Sequence, residues 1–96
     1  MEREEYIDSL AAKLKEWNAE IEKLEAKARK AGAESSKEIS KEIQNLRARK
    51  KKAEYKLDDL KEAGKASWKE LQAETEDAVE DIKSSLENAV NRFKDV

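Results

Sequence analysis

The stretch Ala31–Ile39, AGAESSKEI, recurs as Ala63–Leu71, AGKASWKEL, and these two copies contain both glycines of the 96-residue chain. Each copy joins a signal that ends a helix to a signal that starts one. Glycine readily takes the left-handed conformation that closes a helix C-terminus, so Gly32 and Gly64 are predicted to end the first two helices. Two such turns predict three helices.

A serine followed three residues later by glutamate completes each copy. In this capping box, Ser35 and Ser67 would accept hydrogen bonds from the unpaired amides at the start of the next helix. Glu38 and Glu70 would reach back to the amide of the capping serine. The signals predict helices at about residues 2–31, 36–63 and 68–95, within a single helical domain over residues 1–96.

Apolar residues recur in alternating steps of three and four on both sides of the first copy, which is the heptad spacing of helices packed side by side. Folding the second helix back on the first aligns the two stripes, so that Leu10 faces Leu57 and Leu24 faces Ile43. Lys50 is the polar exception. The pattern predicts an all-α fold, an antiparallel up-down-up three-helix bundle with coiled-coil packing. Its predicted structural core comprises Ile7, Leu10, Leu14, Trp17, Ile21, Leu24, Ile39, Ile43, Leu46, Leu57, Leu60, Trp68, Leu71, Val79, Ile82, Leu86, Val90 and Phe93.

The third helix repeats some apolar residues every eleven positions, as in Trp68, Val79 and Val90, and should therefore supercoil less than a strict heptad helix. Each of these valines follows an alanine, at positions 78 and 89. The predicted core takes the valines, and the sequence leaves open which member of each pair faces outward.

Charged residues make up 46% of the chain, and 21 basic against 23 acidic side chains give a net charge of −2. Because the signs are interleaved, no overall field favours nucleic acid or an anionic membrane. The basic run at residues 47–52 is expected to lie beside the acidic segment at residues 77–82. Few aromatic residues accompany the basic run, so we do not expect a nucleic-acid interface. The absence of cysteine and of an apolar leader favours a cytoplasmic location.

Catalysis is not expected, because the chain has no histidine and no cysteine. Two carboxylate pairs, Glu76 with Glu80 and Asp77 with Asp81, lie four residues apart and could hold a hard cation. A solvated acidic face is the simpler interpretation. We therefore predict no enzyme activity, no cofactor and no metal site.

A family resemblance is carried by residues 3–27, REEYIDSLAAKLKEWNAEIEKLEAK, and by Trp68 together with the closing residues 91–94, NRFK. The chain resembles small bacterial coiled-coil proteins, some of them labelled stress-response proteins, which have no assigned activity. The resemblance implies no catalytic residues. It also implies an alternative fold, in which residues 28–39 continue as one helix and two chains pair as an antiparallel dimer.

The function predicted from the sequence is a non-enzymatic helical structural or protein-interaction module, associated with stress if the resemblance holds. A protein partner or self-association is expected, through rigid charged helix faces or through outward apolar residues such as Tyr6 and Tyr55. The alternative is reversible binding to a membrane surface by the amphipathic third helix.

Overall fold

A computed structural model describes residues 2–95, and within them the chain forms three helices: α1 (Arg3–Lys30), α2 (Ala33–Glu62) and α3 (Lys65–Arg92). The molecule measures 51 × 18 × 17 Å, as expected for helices of about 30 residues that rise about 1.5 Å per residue and lie side by side. This arrangement confirms the all-α three-helix bundle. The continuous-helix alternative is wrong, because α1 ends at Lys30 and α2 folds back along it.

Each turn consists of an alanine and a glycine in extended conformation. Ala31 and Gly32 have φ/ψ of −80°/161° and −62°/164°, and Ala63 and Gly64 have −67°/138° and −78°/170°. The expected left-handed glycine was therefore wrong, since neither glycine has a positive φ. A Cβ atom added at either glycine would meet no other atom within 4 Å. These glycines mark the turns without being required by the backbone conformation.

The predicted capping boxes are also wrong. The N-caps of α2 and α3 are Gly32 and Gly64, and neither helix has a side-chain cap hydrogen bond. Each helix begins at the residue after its glycine, which places Ser35 and Ser67 inside the first turn and Glu38 and Glu70 one turn further on. A serine at the third helical position cannot accept from the amides that the cap position faces.

The core consists of two buried clusters along the bundle axis. One cluster joins the second half of α1 to the first half of α2 and the end of α3, and the other joins the first half of α1 to the second half of α2 and to Ala78. Trp17 packs against both clusters from a half-buried position. The predicted core residues that are buried are Leu10, Leu14, Ile21, Leu24, Ile39, Ile43, Leu46, Leu57, Leu60, Ile82, Leu86 and Phe93.

The rotation of α3 about its own axis differs from the prediction. Ala78 and Ala89 are buried, whereas Val79 is half-buried and Val90 is 37% exposed. Thr75 is fully buried, and its hydroxyl donates to the Leu71 carbonyl at 2.7 Å, so the polar atom is satisfied within its own helix. The remaining predicted core residues, all of them half-buried, are Ile7, Trp17, Trp68 and Leu71.

Candidate functional site

Two of the three seams between helices are bridged by ion pairs, and recesses of about 400 and 470 Å³ between α1 and α2 and of about 350 Å³ between α2 and α3 lie along them. α2 packs along the full length of both α1 and α3, while α1 and α3 approach each other at few points. Across the α2–α3 seam, Arg49 contacts Asp81, and the Lys56 ammonium lies 3.9 Å from the Glu74 carboxylate. The expected meeting of the basic run with the acidic segment therefore takes place through Arg49.

Two other members of the basic run, Arg47 and Lys50, make contacts across the α1–α2 seam. Arg47 contacts the carboxylate of Glu25. Lys50, the polar exception in the α2 stripe, donates from Nζ to the Asn18 side-chain oxygen at 2.8 Å. Its side chain is 18% exposed, so the alkyl stem lies in the seam and the ammonium group reaches the edge. Three of the run's cations, Arg47, Arg49 and Lys50, are thereby engaged within the fold.

The third seam, between α1 and α3, has an open surface groove with a volume of about 540 Å³. Its apolar floor is formed by Trp17 from α1 and by Leu86 and Val90 from α3. Val90 and Tyr55 are the large hydrophobic residues with the greatest exposure among residues 2–95. A groove with an apolar floor on an otherwise highly charged molecule is a typical recognition surface. We refer to it as the α1–α3 groove.

The rim of the α1–α3 groove is acidic. Glu16 and Glu20 line it on α1, and Glu87 lines it on α3; no lysine or arginine lines it within the described residues. Lys23 lies 3.1 Å from the Glu20 carboxylate, but its side chain is largely exposed and the pair is one turn apart on the same helix. Such an exposed pair contributes little to stability and leaves Glu20 available to a partner.

Near the N-terminal ends of α1 and α3, a small aromatic cluster closes the α1–α3 seam. The rings of Tyr6 and Trp68 meet edge to face with centroids 6.0 Å apart, and the Arg3 guanidinium lies 4.7 Å from the centre of the Trp68 ring. Arg3 also donates to the carbonyls of Leu60 and Lys61, at 3.1 and 3.3 Å. These carbonyls belong to the last turn of α2, where that of Leu60 also accepts from the Ala63 amide, so Arg3 connects the ends of all three helices.

Tyr6 donates from its hydroxyl to the Glu76 carboxylate at 3.4 Å. Burial raises the pKa of Tyr6 to about 12, and the charge of Glu76 and this hydrogen bond act in the same direction. The phenol therefore stays protonated through the neutral range and tethers α1 to α3. At the C-terminal ends of α1 and α3, Lys27 donates to the Phe93 carbonyl at 3.0 Å and forms a second tether.

Sequence reasoning located the side chains of the groove but missed the groove itself. Trp17 and Val90 were assigned to the core, because heptad counting treats every apolar position on the inner side as equally enclosed. The sequence did contain a signal for the groove, because α3 has more apolar residues than its inner face can hold. At 78–79 and at 89–90 two adjacent residues are apolar, and only one of each pair can face the core. One member of such a pair has to lie on the flank of the helix.

Between residues 2 and 95, no group of three or more acidic side chains converges on a point that could hold a metal ion. Glu76 accepts from Tyr6 and Asp81 contacts Arg49, so the two predicted carboxylate pairs take part in contacts between helices. None of the three helices has an apolar stretch long enough to cross a membrane within that same range.

The sequence matches no family model and no curated protein, and the fold matches no solved structure at the level required.

Proposed function

We propose that this chain is a non-enzymatic protein-interaction module that binds a basic amphipathic helix in the α1–α3 groove. The observation that carries the proposal is the combination of the floor of Trp17, Leu86 and Val90 with a carboxylate rim. An amphipathic helix laid in a groove buries its apolar stripe and presents its flanks to the rim. Lysine or arginine on those flanks would complement the rim charge.

The shape of the bundle supports this mode of binding. α1 and α3 run in the same direction, and a helix between them would turn the three-helix bundle into a four-helix arrangement over this part of its length. On the floor of the groove, Leu86 belongs to one core cluster and Trp17 packs against both, so these two side chains need little ordering when a partner binds. Association with stress responses rests on the family resemblance alone and stays a prediction.

The membrane-surface alternative receives less support. It requires the apolar stripe of α3 to leave the bundle, yet Ile82, Leu86 and Phe93 are buried in the core. The outer face of α3 carries Glu76, Glu80 and other acids, which anionic lipids would repel. Co-sedimentation with anionic vesicles separates the two proposals, and we expect the protein to stay in the supernatant.

The direct test uses the fluorescence of Trp17. Replacing Trp68 by Phe leaves Trp17 as the one tryptophan, since the chain contains two. The probe is a synthetic amphipathic helix of about 18 residues, five turns long, built from Leu, Ala and Lys, and its partner probe carries Glu in place of Lys. We expect the Lys helix to change the Trp17 emission in a saturable way, and the Glu helix to bind at least about tenfold more weakly.

A matched pair of variants shows where the probe binds. The groove variant is Glu16→Gln/Glu20→Gln/Glu87→Gln, and the control variant is Glu34→Gln/Glu62→Gln/Glu70→Gln, which changes the net charge equally at exposed acids away from the groove. The groove variant should lose most of the affinity for the Lys helix, while the control variant should keep it. Equal binding of the two probes, or equal losses in the two variants, would overturn the proposal.

A further inference from the structure

The exposed face of α2 carries an apolar residue in a basic setting. Tyr55 is 59% exposed, the highest value among the large hydrophobic side chains of residues 2–95. The Lys51 ammonium lies 6.0 Å from the centre of its ring. Lys51 and Lys52 are both exposed, and within the described residues neither lies at ion-pair distance from a carboxylate. We call this surface the Tyr55 face.

Charges continue beyond Tyr55 with the opposite sign. One turn before Tyr55 the helix presents Lys51 and Lys52, and one turn after it the helix presents the exposed acids Asp58 and Asp59. Along this face the order is therefore basic, aromatic, acidic, at steps of three to four residues that keep all of these side chains on one side of the helix.

The α1–α3 groove shows the reverse order at the same spacing. On α3, Glu87 precedes Val90 by one turn, and the exposed Lys94 follows Val90 in the turn just beyond the end of the helix. On α1, Glu16 and Glu20 are followed one turn later by the exposed Lys23. Along both walls the order is acidic, then basic, with the exposed Val90 between the two on the α3 wall.

We propose that the α1–α3 groove binds the Tyr55 face of a second copy of this chain. This inference rests on the proposed function and names its partner. Tyr55 would pack against Val90, with Lys51 and Lys52 beside the acidic rim. The charge order also fixes the direction: the docked α2 runs parallel to α1 and α3 of the receiving copy, so that Asp58 and Asp59 lie near Lys23 and Lys94.

The position of the two surfaces determines the kind of assembly. The groove lies between α1 and α3, and the Tyr55 face lies on the opposite side of the bundle, on the outside of α2. One chain can therefore bind two neighbours at once, one through each surface. Contacts of this heterologous kind do not end at a dimer but continue into a chain of molecules or close into a ring.

Pairing of two grooves with each other is disfavoured by the same charges, because it would bring Glu16, Glu20 and Glu87 of one copy against those of the other. The low net charge of −2 adds little overall repulsion between copies. Since the matching charges are exposed, we expect the association to be weak and to weaken further with added salt.

Sedimentation velocity over a dilution series tests the inference. At protein concentrations up to about 1 mM it detects association with a Kd as weak as about 1 mM. We expect the average mass to rise with concentration past that of a dimer, which is twice the 11.0 kDa of one chain. The charge reversal Lys51→Glu/Lys52→Glu should weaken association at least about tenfold. Circular dichroism on the same variant checks that the helices remain folded.

A charge swap within one chain shows whether the two surfaces bind each other. Combining Glu16→Lys/Glu20→Lys/Glu87→Lys with Lys51→Glu/Lys52→Glu in the same chain should restore association. Combining the matched Glu34→Lys/Glu62→Lys/Glu70→Lys with Lys51→Glu/Lys52→Glu, which gives the same net charge, should not. Restoration by both variants would overturn the inference, because net charge alone would explain it.

Two further outcomes would also overturn it: wild-type protein that stays monomeric at every concentration, and an average mass that levels off at a dimer. In either case the binding of the synthetic Lys helix to Trp17 decides separately whether the proposed function survives. Retained binding would mean that the groove takes a basic helix from a different protein. Loss of both would remove the groove as a recognition surface.

Discussion

The two seams that α2 forms and the seam between α1 and α3 differ in how they are completed. Along the α2 seams, apolar stripes meet and ion pairs such as Arg49 with Asp81 bridge the helices, and recesses of about 350, 400 and 470 Å³ lie at the surface. Along the α1–α3 seam the helices are tethered near both ends, by Tyr6 and by Lys27, and between the tethers lies a groove of about 540 Å³ with an apolar floor. The α1–α3 seam thus differs from the other two in how few direct contacts join its helices and in the apolar floor of its groove.

The sharpest expected difference is between the centre of α2 and the floor of the groove. Leu46 is fully buried, and Leu46→Ala should lower the free energy of unfolding by about 2–5 kcal/mol. Val90→Ala should cost less than about 1 kcal/mol, because the side chain is partly exposed and the methyl groups leave no enclosed cavity.

Urea denaturation followed by circular dichroism measures both values. Equal losses for Leu46→Ala and Val90→Ala would show that the α1–α3 seam is as tightly closed as the others and would contradict the comparison.

Loss of the Arg3 contacts, near the N-terminal end of α1, should lower the free energy of unfolding less than loss of a core side chain. Arg3→Ala removes a cation from the face of Trp68 and a hydrogen-bond donor from the Leu60 and Lys61 carbonyls, and we expect a cost of about 1–2 kcal/mol. Arg3→Lys keeps the charge but lacks the planar fork, so it should recover only part of the loss. Unfolding free energies for the three proteins test this, and an Arg3→Ala variant as stable as the parent would contradict the assigned tether.

The tether at Tyr6 predicts a loss of stability at high pH. The folded pKa of about 12 lies above the ordinary value of 10.0, so the folded state keeps a proton that the unfolded state releases. Stability from this group is complete below about pH 10 and declines as the pH rises towards 12. Thermal melting over this range should show a decline that is flatter in Tyr6→Phe.

Absorbance titration of the two tyrosines provides the control for this prediction. Ionised tyrosine is seen in the ultraviolet, and removing Tyr6 should remove a component that titrates near pH 12. If Tyr6→Phe leaves both the titration and the pH profile unchanged, the hydrogen bond to Glu76 does not hold the seam.

The contrast between the seams also explains which parts of the fold could be predicted from the sequence. The heptad stripes of α1 and α2 predict the bundle directly, because side chains such as Leu24 and Ile43 are buried only when the two helices pack along each other. The rotation of α3 was not accessible in this way. Hydrophobicity ranks Val90 above Ala89, but at that height the alanine faces the core, and the valine lies on the flank.

The turns show a second limit. Glycine and the S-x-x-E pattern located both turns to within a few residues, and yet Ser35 and Ser67 lie inside the helices they were expected to cap. An extended Ala-Gly pair closes one helix and opens the next without side-chain help, since the last amide of each preceding segment, at Ala31 and Ala63, still bonds back into its helix. Residue preferences indicate where a chain turns more reliably than how it turns.

The smallest expected effect concerns these turns. Gly64 lies at an N-cap position with extended backbone and open space around its Cβ position, so Gly64→Asp should stabilise the protein by about 0.5–1 kcal/mol through a new cap and a less flexible unfolded chain. Gly64→Ala is the matched variant without the capping oxygen. A large destabilisation by Asp would mean that this glycine needs a conformation that other residues avoid.

The central claim, that the open seam is a recognition surface, is tested most directly by mapping amide chemical shifts in ¹⁵N-labelled protein while the synthetic Lys helix is added. The account predicts that the shifted amides cluster at residues 16–20 on α1 and 86–91 on α3, while those of the α1–α2 seam stay in place. Shifts spread evenly over the acidic surface, or no shifts at these residues, would contradict it.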